Sequence, residues 1–128
     1  MIQEELSHGI ISAFYFVYNK LGHGFLEKVY ENALMVEFRK RGIYVEQQKR
    51  VDVWYDGIRI GEYYADIIVN HTIVLELKAA SGIAPEHEAQ LLNYLRATDI
   101  ELGFLLNFGP RADFIRRIFS NERKISRE

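Results

Sequence analysis

The sequence predicts a single α/β (α+β) domain, in which helices cover a central four-stranded mixed sheet. The chain has 128 residues, a length that suits one hydrophobic core. Two helical patterns come first, and residues 43–80 then switch to β-branched and alternating positions. A later helix separates this block from a last apolar strand, so part of the sheet is joined through a helical crossover.

The first two elements are predicted to be amphipathic helices. Apolar residues recur every three or four positions from residue 2 to Lys20, where two glycines follow within four positions. The second helix is predicted over residues 25–41, and Gly42 fits a helix stop. Both helices therefore present an apolar stripe to a sheet.

Three strands follow the helices. Residues 45–55 and 58–69 are predicted to form a hairpin around the strong turn signal Asp56-Gly57. A short turn at Asn70-His71-Thr72 leads into a third strand over residues 73–79. The first three strands are thus expected to be antiparallel neighbours.

The remaining elements alternate between helix and strand. Pro85 favours the first turn of a helix that continues to about Thr98. Residues 100–108 are largely apolar, which indicates a buried fourth strand. Gly109-Pro110 ends this strand, and a short basic helix is predicted over about 112–119.

Composition limits the chemistry. The absence of cysteine excludes disulfides, thiolate nucleophiles and cysteine zinc sites, and the four histidines are scattered. A bound metal would therefore have mostly oxygen ligands, which favours magnesium or manganese. There is no apolar run of membrane-spanning length and no basic signal-peptide start, so the sequence predicts a cytoplasmic protein without membrane partners.

The charges are unevenly distributed along the chain. Residues 109–128 carry six Arg or Lys and three Asp or Glu, whereas residues 1–108 carry ten and fifteen. The acidic part fits a site that binds a cation. The basic tail makes Arg111, Arg116 and Arg117 candidates for phosphate contacts, with a solvated surface as the alternative.

The central chemical signal is the set Asp66, Glu76 and Lys78. Glu76 and Lys78 are two apart on one strand, so they point to the same face. Taken alone, this strand is explained by a half-solvated face with a cross-strand ion pair. Asp66 favours a functional site over this ion-pair explanation, because it is a second acid inside an apolar strand.

The register of the hairpin decides whether the two acids can meet. A two-residue loop at Asn70-His71 would pair Asp66 with Leu75 and place the acids on opposite faces. A three-residue loop, Asn70 to Thr72, pairs Asp66 with Glu76, and a bulge near Asp66 would also serve. The sequence predicts one of the last two arrangements.

A carboxylate pair beside a lysine matches the needs of phosphodiester hydrolysis. Two carboxylates on one face repel each other, and a divalent cation relieves that repulsion. Such a cation polarises a phosphoryl oxygen and acidifies water. The ammonium group of Lys78 can hold the attacking water or offset charge developing on the phosphate.

Four motifs resemble a known family. Residues 24–30 resemble the GxxExxY signature of a family of small microbial proteins. Ala65-Asp66 and then Glu76-Leu77-Lys78 resemble the D…ExK core of the PD-(D/E)xK nuclease superfamily, to which that family is assigned. Residues 90–94 are similar to the QxxxY motif of RecB-like exonuclease branches, and residues 105–109 to the family's closing strand.

The resemblance implies a restriction-endonuclease-like core at about residues 6–119 of one domain spanning 1–128. It implies that Asp66 and Glu76 bind magnesium or manganese, with the Leu77 carbonyl as a third ligand. Glu27 corresponds to a helical acid that assists the metal site, although locally it is also explained as a solvated residue near a helix N-terminus. Lys78 corresponds to the catalytic lysine.

Gln90 and Tyr94 share a face of the third helix, because they are four residues apart. The resemblance implies that they position Lys78 or a phosphate. Ordinary helix packing with a polar rim is the alternative explanation.

The sequence therefore favours a metal-dependent nuclease acting on nucleic acid, with DNA preferred over RNA. The second hypothesis is a catalytically silent nucleic-acid-binding or assembly module on the same fold. Intact carboxylates favour the nuclease, since a pure binder does not need acids that repel phosphate. The sequence leaves a homodimer open.

Overall fold

The computed structural model describes residues 3–124 as three α-helices, five strands and a terminal 3₁₀ turn. The predicted fold class, a mixed sheet flanked by helices, is confirmed, but the sheet has five strands rather than four. The elements in chain order are α1 (Glu4–Leu21), α2 (Glu27–Lys40), β1 (Val45–Tyr55), β2 (Ile58–Val69), β3 (Ile73–Lys78), α3 (Pro85–Ala97), β4 (Leu102–Phe108), β5 (Ala112–Ile118) and the 3₁₀ turn (Asn121–Arg123).

The strands lie in the order β1-β2-β3-β4-β5. β3 and β4 are parallel, and the other neighbours are antiparallel. α3 supplies the crossover that a parallel pair requires. Gly103 lets this helix pack closely, because a Cβ at that position would lie 2.6 Å from a methyl carbon of Leu91. The sheet thereby separates an α1/α2 layer from an α3 layer.

Apolar residues of β3 divide between the two layers. Ile73, Leu75 and Leu77 pack against α1 and α2, while Val74 packs against α3. Glu76 and Lys78 share the parity of Val74, so they belong to the α3 face of the sheet. The α1/α2 layer is the larger core and contains the stacked rings of Tyr30 and Phe108, 4.3 Å apart.

The predicted basic helix over residues 112–119 is wrong, because residues 112–118 form the edge strand β5. β5 pairs with β4 along its whole length, from Phe108↔Ala112 to Leu102↔Ile118. β4 is buried at every position and would otherwise expose unpaired backbone groups along one side. Pairing β4 outweighs the weak helical spacing of the apolar residues in this segment.

Within residues 3–124, no helix is both long enough and apolar enough to cross a membrane.

Candidate active site

The β2–β3 register brings the two predicted acids together. Ile67 pairs with Leu75 and Val69 with Ile73, which leaves Asn70–Thr72 as a three-residue loop. The three-residue register is therefore confirmed, and the two-residue alternative is wrong. Continuing this register places Asp66 opposite Glu76.

The side chain of Asp66 hydrogen-bonds to β3 just beyond the last backbone pair between β2 and β3. The last paired residues of β2 and β3 at this end are Ile67 and Leu75. Beyond them, the backbone N–H of Leu77 donates a hydrogen bond to Asp66 Oδ2 at 2.7 Å. This bond holds the Asp66 carboxylate beside the strand that carries Glu76 and Lys78.

The alternation of side chains between the two faces of the sheet also breaks at Asp66. Ile67 packs in the α1/α2 layer, whereas Ala65, two residues earlier, packs in the α3 layer. In β1, Val45 and Val51 differ in the same way. The residue between them opposite Asp66 is Gln48, which has a φ of 54° and is absent from the regular pairing. The strained backbone at Gln48 therefore accompanies a break in alternation at the site.

Glu76 lies in surroundings that oppose its ionisation. Burial raises its pKa, the negative charge of Asp66 raises it further, and the positive charge of Lys78 partly offsets both, giving a value of about 8. Burial also raises the pKa of Asp66, while the hydrogen bond from Leu77 lowers it. A nearby cation would relieve the unfavourable energy of ionising both carboxyl groups.

The backbone just after Lys78 is held by the side chain of Asn107, which is 1% exposed. Its Oδ1 accepts from the Ala80 N–H at 2.9 Å, and its Nδ2 donates to the Ala80 carbonyl at 3.0 Å. Gly109 keeps the approach open, because a Cβ there would lie 1.9 Å from the Ala80 oxygen. These contacts extend the β3–β4 pairing past the half-buried Lys78.

Glu31 is a site residue that the sequence reasoning missed. Its side chain is buried and accepts hydrogen bonds from Lys28 at 2.8 Å, from Gln48 at 3.0 Å and from Gln47. Gln48 also donates to Asp66 Oδ1 at 3.4 Å, so one amide joins the two carboxylates. The sequence feature that could have indicated Glu31 is its position in α2, beside the apolar stripe that faces inward.

Glu27, the predicted helical acid, lies one turn before Glu31 and is exposed. Its charge raises the pKa of Asp66, but it ranks after the charge of Glu31 among the causes of that shift. The structure therefore places two acids of α2 near Asp66. The buried one, Glu31, is also linked to Asp66 through the side-chain amide of Gln48.

Tyr94 of α3 is buried, whereas Gln90 is exposed one turn earlier. Burial raises the pKa of Tyr94 to about 12, and the charges of Glu76 and Glu46 add to that effect. The hydroxyl of Tyr94 is thus protonated at neutral pH. Of the two residues of the QxxxY resemblance, Tyr94 is therefore the one that the structure places within electrostatic reach of Glu76.

The three candidate arginines do not form one surface. Arg111 lies in the turn after β4, at the sheet end where Lys78 is opposite Asn107. Arg116 and Arg117 alternate on β5, and Arg117 is paired with Glu88 of α3 at 2.5 Å. Arg116 and Arg117, which were expected on one short basic helix over about 112–119, instead lie on opposite faces of β5.

The donor set fits a hard divalent cation. Asp66 and Glu76 offer two carboxylates that lie close enough for the charge of Asp66 to raise the pKa of Glu76, although residues 3–124 contain no ready-made cluster of three acidic or histidine ligands. Magnesium is commonly held by one or two protein carboxylates, with water and substrate phosphate completing its coordination. Two carboxylates are therefore enough for this class of ion.

The fold and the site define a restriction-endonuclease-like domain with a D…ExK carboxylate and lysine set. The family profile described as the PD-(D/E)XK nuclease superfamily matches residues 4–118, and the chain belongs to that superfamily. The sequence has no significant match among curated proteins.

A solved structure shares the fold. The crystal structure of SSO0001 matches 73% of the chain, with a TM-score of 0.60 and 19% sequence identity. The matched region covers 50% of that protein, so this chain spans about half its length. At this identity, the likeness concerns the fold alone.

Proposed function

We propose that the protein is a metal-dependent nuclease that hydrolyses phosphodiester bonds of nucleic acid. Its catalytic site would consist of Asp66, Glu76 and Lys78. The observation that carries the proposal is the neighbouring pair of half-buried carboxyl groups, with Asp66 held by the Leu77 N–H of the strand that carries Glu76. Keeping two acids together in this environment is unfavourable without a cation. Membership of a superfamily of nucleases supports the same conclusion.

Each residue has a distinct role in this proposal. Asp66, Glu76 and the Leu77 carbonyl would hold magnesium or manganese, assisted by an acid of α2, either Glu27 or Glu31. A divalent cation there supplies polarisation of the phosphoryl group and acidification of water.

Two further groups act on the substrate side. Lys78 offsets negative charge that develops on the phosphate or orients the attacking water. Tyr94 acts as a neutral hydroxyl group, because its pKa of about 12 keeps it protonated. Gln90 is exposed and is assigned the supporting role that the QxxxY resemblance implies.

The test is a titration of magnesium and manganese into the wild type and Glu76→Gln, followed by cleavage assays on single- and double-stranded DNA and RNA. Metal-dependent cleavage should fall by at least about 100-fold in Glu76→Gln, the order expected for removing one stabilising group. Glu86→Gln removes an exposed acid from the first turn of α3 and should retain activity.

Equal cleavage by Glu76→Gln and the wild type would refute the assignment. Metal binding with no cleavage of any of the four substrates would instead support the silent binding module.

The same proposal extends to the kind of nucleic acid, the family branch and the oligomeric state. DNA is the expected substrate ahead of RNA, as the RecB-like motif suggests. Membership of the GxxExxY branch rests on residues 24–30. A homodimer would help a domain of this size to hold a duplex, and sedimentation with and without DNA tests it.

A further inference from the structure

A cavity of about 450 Å³ lies between the β1–β2 hairpin, the end of α3 and the segment after β5. This size falls within the range of roughly 300–1,000 Å³ typical of ligand sites. We call it the aromatic cleft. The residues that define it are Trp54, Tyr63, Asn93, Arg96, Phe119 and Arg123.

Two arginines of the aromatic cleft are held in place without being neutralised. The guanidinium carbons of Arg96 and Arg123 lie 5.3 Å and 4.5 Å from the ring centre of Phe119. Arg96 also donates to Asn93 Oδ1 at 3.3 Å. Across residues 3–124, neither arginine forms an ion pair with an acid.

The acid that lines the aromatic cleft is already engaged. Asp52 pairs with Arg50 at 3.0 Å and with Arg59 at 3.5 Å, both within the hairpin. The cleft therefore keeps a net positive charge from its two arginines. A positive, concave surface favours an anionic occupant.

Two aromatic side chains of the hairpin line the same cavity and keep accessible surface. Trp54 is 45% exposed and Tyr63 is 41% exposed. Accessible rings beside uncompensated arginines are the combination that binds unpaired nucleobases by stacking and their phosphates by charge. A duplex cannot use the rings, because its bases are stacked on each other.

The aromatic cleft adjoins the candidate active site through α3. Asn93 lines the cleft, and the next residue, Tyr94, packs in the same core cluster as Val74 on the face of the sheet to which Glu76 belongs. A strand seated in the cleft would therefore continue along α3 toward the carboxylates.

We infer that the aromatic cleft binds a single-stranded segment of nucleic acid, with bases on Trp54 and Tyr63 and phosphates on Arg96 and Arg123. The inference rests on the proposed nuclease function and specifies its substrate as one with an unpaired stretch. The segment would be a single-stranded end or flap beside the bond that is cut.

The experiment uses the sole tryptophan of the chain as a reporter. A fluorescein-labelled oligothymidine is titrated into the protein in EDTA, with anisotropy reporting binding and Trp54 emission reporting stacking. We expect saturable quenching by the single strand and much weaker quenching by the same strand annealed to its complement.

Substitutions then locate the contact. Trp54→Ala should weaken binding roughly 5- to 150-fold, as for loss of one stacking platform. Arg123→Gln should weaken binding and reduce the slope of log K against log salt by about 0.7. Arg39→Gln removes an exposed arginine from the other face of the sheet and should change neither. Unchanged circular dichroism verifies that the variants are folded.

Several outcomes would overturn the inference. Binding without a change in Trp54 emission, or equal losses in Arg39→Gln and Arg123→Gln, would mean that the strand lies elsewhere. A dimer that Trp54→Ala converts to a monomer would assign the cleft to a second copy of the chain. Since binding is measured without metal, loss of cleavage in Glu76→Gln tests the proposed function separately.

Discussion

At the residue scale, the carboxyl group of Glu76 illustrates how a site can store unfavourable energy in the folded state. Burial and the negative charge of Asp66 on β2 both raise its pKa, and the positive charge of Lys78 compensates in part. The same burial that makes an ionised Glu76 unfavourable would strengthen its attraction for a cation. Stability and metal affinity are therefore coupled at one side chain.

This coupling predicts a pH-dependent effect of Glu76→Gln in EDTA. The pKa of Glu76 rises from 4.5 to about 8 on folding, so the folded state binds more protons between these values. Wild-type stability therefore falls as pH rises from 4.5 to 8. Glu76→Gln should be more stable than the wild type at pH 8.5, on the order of a few kcal/mol, and similar at pH 4.5.

Thermal melts of both proteins at the two pH values check this prediction. Magnesium should stabilise the wild type at pH 8.5 and leave Glu76→Gln nearly unchanged. A difference between the proteins that is constant with pH would contradict it.

Glu31 leads to a second prediction at the residue scale. Glu31→Ala removes a buried acceptor that Lys28, Gln47 and Gln48 share, although Lys28 and Gln48 are themselves exposed. We expect the free energy of unfolding to fall by about 1–3 kcal/mol. Glu27→Ala, one turn away and exposed, should cost less than about 0.5 kcal/mol. Urea denaturation of the two variants distinguishes them, and equal losses would remove Glu31 from the site's framework.

At the element scale, the sequence predicted what local pattern determines. The hairpin turn, the order of the elements from α1 to β4 and the shared face of Glu76 and Lys78 follow from turn residues and periodicity, and the structure confirms them. The sequence of β5 wrongly predicts a helix, because apolar residues at 114, 115, 118 and 119 also fit helical spacing. The choice between a helix and a strand depends on tertiary structure, because β4 would otherwise lack a partner along one side.

The connection between β4 and the segment after β3 gives a prediction of its own. Asn107→Ala removes both hydrogen bonds to Ala80 and should lower the free energy of unfolding by about 1–3 kcal/mol. Because these bonds fix the backbone next to Lys78, kcat should fall more than KM changes. Asn19→Ala, on an exposed position of α1, is the matched control for both measurements. An unchanged kcat would leave Asn107 with a role in stability alone.

At the scale of the whole molecule, the two faces of the sheet have different tasks. The α1/α2 face carries the larger core, and the α3 face carries Glu76, Tyr94 and the aromatic cleft. The sequence could not predict the cleft, because its residues come from three segments far apart in the chain. Glu31 was missed for a similar reason, since its partners Gln47 and Gln48 lie on a strand.

The distribution of arginines predicts unequal contributions to nucleic-acid binding. Arg111 lies at the sheet end near Lys78, while Arg117 is engaged by Glu88. Arg111→Gln should therefore weaken binding of a labelled DNA more than Arg117→Gln and flatten its salt dependence more. Anisotropy titrations at several salt concentrations measure both quantities. A larger effect of Arg117→Gln would show that its ion pair opens to receive phosphate.

The outer strands of the sheet, β1 and β5, limit how copies of the chain can associate. β1 carries Glu46, Lys49, Arg50 and Asp52, and β5 carries Asp113, Arg116 and Arg117. Charged side chains along exposed borders oppose the stacking of further strands, which is the route to fibrous aggregates. Concentrated protein should therefore resist cross-β assembly through the free edges of β1 and β5.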